Sequence, residues 1–251
     1  MSLVDTHCHL NMDPLAANVP AVLDRARAAG VDHVVVPAYD QESWLQLMEL
    51  PPLPGLSLAF GLHPWVADQS LDLELIRDVL FQTQAVAIGE IGLDFKISQP
   101  GRTRQINVVT AQLRLALELD LPVILHCRSA FAELLQILGD TSPGLRGVVH
   151  AYSRGPDLAH RFTELGLHIA FGGALTRPMA KRARQSAAAL PPEKLLLETD
   201  APSIGLEGVA PKDTEPRHVR VIASALAEIR RLTLKEIAEV TTANARELFR
   251  I

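Results

Sequence analysis

Six side chains of types that bind metal ions occur at similar places in this sequence, each at or just after a short apolar run. They are His7, His9, Glu90, His126, His150 and Asp200. Imidazole and carboxylate groups together form a ligand set for ions such as Zn, Mn, Fe and Co. Each residue alone is weak evidence, because a His-x-His pair arises readily in a chain with nine histidines. The value of the set depends on whether the fold brings its members together.

Six ligands exceed what one four-coordinate ion needs, so the set indicates a pair of ions. A carboxylate such as Glu90 has two oxygens and can bridge two metals. Two ions a few ångströms apart can lower the pKa of a shared water molecule and clamp a scissile phosphate or carbonyl. Asp200 can bind a metal and accept the proton of the attacking water. The residues therefore predict a metal-dependent hydrolase with a two-metal site.

The elements that must position these residues alternate between short β-branched runs and longer amphipathic stretches. The predicted strands are Leu3–Cys8, His33–Pro37, Leu56–Gly61, Ala85–Glu90, Pro122–His126, Gly147–His150, Leu167–Phe171 and Lys194–Thr199. The predicted helices are Val19–Ala29, Glu42–Leu50, Leu71–Gln82, Thr103–Asp120, Ala130–Gly139, Pro156–Gly166, Pro178–Leu190, Glu215–Arg231 and Thr233–Phe249. Alternating strands and helices imply a parallel sheet. Eight repeats in 251 residues favour an α/β fold closed as a (β/α)8 TIM barrel over an open sheet, with one domain over residues 1–251.

Closure into a barrel would gather the six side chains at one rim, because the C-terminal strand ends form the mouth of a parallel barrel. His7 and His9 are expected to end the first strand on one face, with Cys8 on the other face. Glu90, His126 and His150 would end strands four, five and six, and Asp200 would follow strand eight. Five of the eight predicted strands thus supply a ligand at the same end.

Composition limits the function classes. The net charge is −5, so bulk charge does not predict binding to duplex nucleic acid, and a phosphate-bearing substrate would need local cations. The two cysteines, Cys8 and Cys127, form no disulfide framework, which favours a reducing compartment. The sequence shows no signal peptide at its start and no apolar run long enough for a membrane span. We expect a soluble cytoplasmic protein, as a monomer, with no membrane partner.

Six motifs occur in an order that resembles the TatD family of metal-dependent deoxyribonucleases, within the wider amidohydrolase-like barrels. The motifs are Asp5-Thr6-His7-Cys8-His9, Gly61-Leu62-His63-Pro64, Gly89-Glu90-Ile91-Gly92-Leu93-Asp94, Pro122-Val123-Ile124-Leu125-His126-Cys127-Arg128, Gly147-Val148-Val149-His150 and Glu198-Thr199-Asp200-Ala201-Pro202. The resemblance extends from Leu3 to Phe249, which makes it very specific.

The resemblance implies two divalent cations per chain, which could be Zn, Mg or Mn. His7, His9 and Asp200 would hold one cation, and His126 and His150 the other. Glu90 would bridge the two cations. No lysine stands at a matching strand end, which argues against the related phosphotriesterase and dihydroorotase barrels that use a carboxylated lysine as the bridge.

Further residues are candidates for contacts with the substrate. The resemblance places His63 at the active site outside the metal ligands, so we expect a catalytic contact to the substrate phosphate or to water. The alternative is a turn residue before Pro64. Arg128 follows His126 by two positions and shares its face, so it would bind phosphate or form a surface salt bridge.

Three acidic residues are candidates for support of the ligands. Asp5 and Glu198 stand two residues before His7 and Asp200 on the inward face. Buried carboxylates at those positions would orient the ligands. Asp94 is expected to support the ligands or to cap a loop.

Three segments depart from the family pattern. Arg154 stands where a glycine usually follows the His150 motif, and it would either contact phosphate or partly block the pocket. Asp213-Thr214 precedes Glu215-Pro216 where many members carry Arg-Asn, so one positive charge is missing. The loop 95–98 lacks the aromatic pair or histidine often found after Asp94. Two basic clusters, 181–184 and 217–220, are expected to be solvated helix faces unless they flank the mouth.

The favoured activity is hydrolysis of DNA phosphodiester bonds, with DNA as the partner and removal of nucleotides from single-stranded 3′ or 5′ ends. A metal-activated water would attack phosphorus with Asp200 as the base. The alternative is a small-molecule amidohydrolase or phosphoesterase on the same dinuclear site. A non-catalytic nucleic-acid-binding barrel is a third class, which the intact ligand set opposes.

Overall fold

The eight strands form one parallel sheet in chain order in a computed structural model that describes residues 2–141 and 143–251. The strands are β1 Leu3–Asp5, β2 Val31–Pro37, β3 Leu56–Phe60, β4 Ala87–Asp94, β5 Val123–Arg128, β6 Gly147–Val149, β7 His168–Phe171 and β8 Leu195–Leu197. Each strand pairs in parallel with the next. This is the architecture of a (β/α)8 barrel, as the alternating pattern predicts.

Helices follow the strands within the described ranges. They are α1 Val19–Ala28, α2 Gln41–Met48, α3 Leu73–Thr83, α4 Arg102–Glu118, α5 Phe131–Thr141, α6 Pro156–Glu164, α7 Lys181–Ala189, α8 Val219–Arg230 and α9 Leu234–Phe249. Local chemistry explains several of the helix starts. The carboxylates of Asp40 and Asp72 accept backbone N–H groups in the first turns of α2 and α3, and Thr233 forms a capping box with Glu236 in α9.

The first and last strands meet at a seam that closes the sheet. The backbone N–H of Thr6 donates to the carbonyl of Leu197, and that of Asp200 donates to the carbonyl of His7. Cys8 also forms a parallel bridge with Ala201. These bonds join segments that are almost the whole chain apart, and they bring the His7 and Asp200 motifs side by side.

The barrel interior is filled by one buried side chain from each strand. These residues are Val4, Val35, Ala59, Ala87, Ile124, Val148, Ala170 and Leu196, and they pack with Ala245, Leu248 and Phe249 of α9. The residues next to them along the strands, such as Val36 and Leu125, belong to the larger core that includes the helices. Helix α9 therefore closes one end of the barrel. The six predicted ligands lie at the other end, where the strands have their C-terminal ends.

Several predicted boundaries are wrong by a few residues, and hydrogen bonds explain the differences. The first strand ends at Asp5 instead of Cys8, because the backbone N–H of His7 donates to the Asp5 carboxylate and not to a neighbouring strand. The eighth strand ends at Leu197 instead of Thr199, where the N–H of Thr199 donates to the Asp5 carboxylate. His7, His9 and Asp200 thus lie in loops just past their strands.

Other strand and helix boundaries also differ from the prediction. The fourth strand runs to Asp94 and the fifth to Arg128, so Glu90 and His126 lie within strands and not at their ends. The helix predicted over Pro178–Leu190 begins only at Lys181. The helix predicted over Glu215–Arg231 begins with a 3-10 turn, Pro216–His218, before α8, because Glu215 and His218 form a capping box.

No helix in the described part of the chain is long and apolar enough to cross a lipid bilayer.

His168 at the start of β7 is a pH-sensitive element of the fold. Burial, together with the charge of Lys194, lowers its pKa to about 4. The folded state therefore binds fewer protons than the unfolded state between about pH 6.5 and 4. As a result, the burial of neutral His168 contributes fully to the free energy of unfolding above about pH 6.5, and this contribution is lost as the pH falls from 6.5 to 4.

We predict that His168→Gln reduces the loss of stability on acidification by roughly 1–2 kcal/mol between pH 7 and 4. The measurement is urea unfolding of both proteins across this pH range, because the difference between the two curves isolates one imidazole from the other histidines. Parallel curves for the two proteins would contradict the prediction.

Candidate metal centre

A bulge in β4 directs Glu90 into the mouth of the barrel. The register pairs Ile88 with Val123 and Ile91 with Leu125, so β4 carries one residue more than β5 over this interval. Gly92 sustains the close approach that follows, since its φ is +145° and a side chain there would collide with the backbone of His126. The sequence places Glu90 at the right rim, but it does not reveal the bulge that aims its carboxylate.

The two carboxylate oxygens of Glu90 face two different groups of histidines. Oε2 lies 3.4 Å from Nε2 of His7 and 3.7 Å from Nε2 of His9. Oε1 lies 2.7 Å from Nε2 of His150 and 3.0 Å from Nδ1 of His126. All four imidazoles are buried or nearly so. One carboxylate therefore stands between two imidazole pairs, with one oxygen directed at each.

Asp200 completes the side that contains His7 and His9. Its Oδ1 lies 3.4 Å from Nε2 of His9 and 3.8 Å from Nε2 of His7. Asp200 has a φ of +51°, a left-handed conformation that is costly for a residue other than glycine. Backbone bonds hold it there, because its carbonyl accepts the N–H groups of Ser203 and Ile204. The structure thus brings together all six side chains that the sequence singles out as ligands.

In His9, His126 and His150, the ring nitrogen that points away from the centre faces an oxygen atom of another residue. His9 donates from Nδ1 to the carbonyl of Pro37 at 3.2 Å. Nε2 of His126 faces the Asp94 carboxylate at 3.6 Å, and Nδ1 of His150 faces the Glu198 carboxylate at 3.9 Å. An acceptor behind the ring keeps the proton on the outer nitrogen and leaves the inner lone pair free for a metal. The donor set therefore fits divalent cations.

In His63, by contrast, the ring nitrogen that points away from the centre faces a hydrogen-bond donor. His63 follows β3 by three residues, and its Nε2 lies 3.3 Å from Oε1 of Glu90. Its ligand atom is close enough to those of Glu90 and His126 to form a candidate metal group with them. Its Nδ1, however, accepts the backbone N–H of Trp65 at 3.2 Å. Neutral His63 therefore carries its proton on Nε2, which can donate to an oxygen but has no free lone pair for a metal.

Glu90 and Asp200 are ionised in spite of their burial. Burial raises the pKa of Glu90, but the charge of His150 and the hydrogen bond with His126 outweigh it and hold that pKa well below its usual range. For Asp200, burial is likewise opposed by the hydrogen bond from His9 and by the charge of His7, so its pKa is also lowered. The charge of Glu90 outweighs the desolvation of His150 and raises the pKa of that imidazole to about 10. A cation bound beside His150 would displace this proton.

Asp5 and Glu198 form a layer of carboxylates beneath the centre. The carboxylate of Asp5 accepts from the N–H and the hydroxyl of Thr199 and from the N–H of His7. Burial raises its pKa to about 7 against these bonds. Glu198 accepts the N–H of Ala151, and burial raises its pKa to about 8 in spite of the nearby charge of His150. The two groups connect the loops after β1, β6 and β8.

Asp94 combines both roles that its position suggests. One oxygen caps the loop by accepting the N–H of Lys96 at 2.9 Å. The other accepts the indole N–H of Trp65 at 2.8 Å and faces His126. Arg128 is more than half exposed and lies 3.8 Å from the same carboxylate. Asp94 therefore links a ligand histidine to the outer wall of the mouth.

A cavity of about 760 Å³ opens above the centre. Arg128 and Arg154 both line it, with His63, Glu90 and Asp200 at its base. The Arg154 guanidinium lies 5.1 Å from the centre of the Phe131 ring, and its Nε has no hydrogen-bond partner in the described residues. Arg154 thus forms part of the wall, and the cavity remains open beside it.

The two basic clusters differ in position. Lys181 and Arg182 line a smaller groove of about 340 Å³ that shares Ser153 with the main cavity, so this cluster flanks the mouth. Arg217 instead binds Glu215 at 2.6 Å, and Arg220 donates to the carbonyl of Ala29. The 217–220 cluster, predicted as a solvated helix face, therefore also forms bonds within the fold.

The sequence reading missed the aromatic residues of the cavity. Tyr39, Trp65, Phe131 and Tyr152 all line it. Tyr39 and Trp65 lie within a few residues of the ends of β2 and β3, two of the three strands that supply none of the six predicted ligands. Their positions after strand ends are the signal in the sequence that could have identified Tyr39 and Trp65 as cavity residues.

Known proteins resemble this chain along its whole length. A family model described as TatD related DNase matches residues 4–250. The metal-dependent hydrolase YjjV of Escherichia coli (strain K12) is 38% identical over 253 residues, which cover 99% of this chain and 98% of YjjV. The metal-dependent hydrolase YabD of Bacillus subtilis (strain 168) is 32% identical over 253 residues and covers 99% of each chain.

Solved structures agree with this result. The crystal structure of YjjV, described as a TatD homolog, superimposes with a TM-score of 0.91 at 37% identity and covers 99% of this chain and 98% of that one. A hydrolase TatD family protein from Entamoeba histolytica shares the fold, with a TM-score of 0.89 at 20% identity over 99% of this chain and 98% of that one.

We predict that Glu90→Gln lowers the content of bound divalent cation per chain by at least half, because both imidazole pairs face this carboxylate. The affinity of the variant for the cation should fall at least ~100-fold, because even residues that only orient a metal ligand change metal affinity by about 10–100-fold. Metal analysis after dialysis and titration calorimetry with Mn²⁺ measure both quantities. Glu239→Gln, on exposed α9 surface at the opposite end of the barrel, is the matched control. Unchanged cation content in the Glu90 variant would exclude the bridging role.

A second prediction separates His63 from the ligands. His63→Gln should keep the cation content of the wild type, because the His63 lone pair on Nδ1 is already occupied by the N–H of Trp65. His126→Gln should lose cation, because its Nδ1 faces Glu90. The same metal analysis compares the two variants. Equal losses in both would show that His63 is a ligand.

Proposed function

The chain belongs to the TatD-related DNase family, whose relatives are named metal-dependent hydrolases, and we propose that it is a deoxyribonuclease that uses two divalent cations. The reaction is hydrolysis of a DNA phosphodiester bond. Phosphodiester cleavage at a dinuclear site requires ligands on both sides of a bridging group. The observation that carries the proposal is the placement of Glu90, whose two oxygens face separate pairs of imidazoles.

The proposed ligands form two groups, each near one oxygen of Glu90. His7, His9 and Asp200 would hold one cation, and His126 and His150 the other. When bound, the cations supply an acidified water molecule and an electrostatic clamp on the scissile phosphate. The protein supplies a buried, preorganised set of donors, so little rearrangement is needed on binding.

Two residues are proposed to handle protons. The low pKa of Asp200 keeps its carboxylate ionised, and it lies on the cavity wall, so it can accept the proton released by the attacking water. His63 carries its proton on Nε2 because its Nδ1 accepts the N–H of Trp65. That N–H is directed into the centre, where it can donate a hydrogen bond to an oxygen of the phosphate or of the leaving group and so stabilise the negative charge that develops there.

Arg128 and Arg154 are proposed to hold the phosphates of the strand. Both line the cavity, and neither guanidinium is committed to a short salt bridge. A concave mouth admits a single-stranded end more readily than an intact duplex, so we propose exonucleolytic removal of terminal nucleotides. The groove at Lys181 and Arg182 extends the positive wall outward from Ser153. These local cations offset the net charge of −5.

A second candidate function is hydrolysis of a small ester, amide or phosphoester at the same centre. The cavity volume of about 760 Å³ favours it, because this lies within the range of small-molecule sites. Asp213-Thr214, which stands before Glu215, lacks the positive charge that is common in the family, and this also favours a small substrate over DNA. Glu215 itself forms a salt bridge with Arg25 of α1 at 2.6 Å. A cytoplasmic location and a monomeric state stay predictions of the sequence.

We predict that the protein releases nucleotides from single-stranded DNA only with a divalent cation, and that Asp200→Asn lowers kcat by about 10²–10⁴-fold. Assays with Mg²⁺, Mn²⁺ and Zn²⁺ against end-labelled oligonucleotides measure release, and chelation should abolish it. Cation content of the variant is determined in parallel, since Asp200 is also a proposed ligand. Hydrolysis of small esters or amides without any release of nucleotides would replace the nuclease with the second candidate.

A further inference from the structure

Trp65 exposes a large aromatic surface at the mouth of the barrel. Its residue surface is 53% exposed, whereas Trp44, the other tryptophan in the chain, is 3% exposed. Trp65 follows His63 by two residues and lines the same cavity as the metal centre. An indole that is half exposed on the wall of this cavity can present its aromatic face to a ligand.

The indole of Trp65 is held in one orientation. Its Nε1–H donates to Oδ2 of Asp94 at 2.8 Å. Asp94 is fully buried, and its backbone N–H and carbonyl are both bonded to the amide of Gln105. The indole therefore cannot rotate away from the cavity without leaving a buried carboxylate short of a donor. A ring fixed in this way offers a rigid flat face at little entropic cost.

The ring also lies close to the reacting centre. Its centroid is 4.7 Å from that of His63 at an interplanar angle of 81°, and 6.2 Å from that of His126. Both histidines contact Oε1 of Glu90. A planar group stacked on Trp65 would therefore lie next to the bond that the centre cleaves, not at a remote subsite.

We propose that Trp65 is a stacking platform for a planar ring of the substrate adjacent to the scissile phosphate. This inference rests on the proposed function, and under it the ring is the base of the terminal nucleotide. The chemistry of the cavity favours this ligand class, because the wall offers an aromatic face at Trp65 and cations at Arg128 and Arg154. A nucleotide joins an aromatic ring to a phosphate in the same way. Stacking accepts any base, so the platform confers preference for a base without preference for a sequence.

Fluorescence provides a direct test of binding. Because Trp44 is buried and donates its Nε1–H to the carbonyl of Gly61, changes on ligand addition report Trp65. The Mg²⁺-loaded protein is titrated with a deoxynucleoside monophosphate and, separately, with 2-deoxyribose 5-phosphate, which has the phosphate but no base. Saturable quenching is expected with the nucleotide alone and should be absent in Trp65→Leu. Equal quenching by both ligands, or quenching that persists in the variant, would overturn the platform.

Kinetics provide a second test with conservative variants. Trp65→Leu should lower kcat/KM on single-stranded DNA by roughly 5–150-fold, the range of one base stack, mainly through a higher KM. Trp65→Phe keeps a π-face and should recover most of this loss. Circular dichroism and cation content check that both variants are folded and loaded. Wild-type activity in Trp65→Leu would refute the inference.

A substrate without a terminal base separates this inference from the proposed function. On an oligonucleotide whose terminal nucleotide is abasic, the wild type and Trp65→Leu should differ by less than about threefold, since the stack is absent from both. If DNA is hydrolysed and Trp65→Leu is unaffected on normal ends, the platform fails and the nuclease stands. If DNA is not hydrolysed but aromatic esters quench Trp65 and are cleaved, the nuclease fails and the platform stands.

Discussion

The structure depends on one buried carboxylate. Glu90 lies within 3.7 Å of ring nitrogens from five histidines, on loops and strands from four parts of the chain. An ionised carboxylate in such a buried position is costly unless charge and hydrogen bonding compensate it. The imidazoles supply that compensation, and the carboxylate in turn holds the imidazoles together. The mouth of the barrel is therefore organised around a group that would be unstable in isolation.

The next layer of residues determines what each imidazole can do. Pro37, Asp94 and Glu198 lie behind His9, His126 and His150 and direct their lone pairs inward. The N–H of Trp65 lies behind His63 and directs a proton inward instead. One residue type thus supports two chemical roles within a few ångströms, and the difference comes from whether the partner is an acceptor or a donor. The chemical role of each histidine at the centre therefore depends on the residue that bonds to its outer ring nitrogen.

Much of this arrangement follows from the sequence, and the exceptions have physical causes. Alternation of apolar runs and amphipathic helices predicts the barrel, and position near the C-terminal ends of the predicted strands selects six residues that the structure brings together. The β4 bulge at Glu90 was not predictable, because a one-residue register shift leaves no mark on an apolar pattern. The tautomer of His63 depends on a backbone N–H two residues later, and the orientation of Trp65 depends on Asp94, 29 residues away. Such bonds are properties of the folded backbone and not of residue type.

The seam between β1 and β8 has a consequence for the order in which the molecule is assembled. His7 and His9 lie on one side of it and Asp200 on the other, joined by the bonds from Asp200 to His7 and from His9 to Ala201. No intermediate that lacks the last strand can possess the complete site. A cation held by all three residues would act as a cross-link between the first and last strands, which selectively stabilises the fully closed ring. Retention of such a cation would therefore report closure of the ring, and partial opening at the seam would release it before the remaining strands separate.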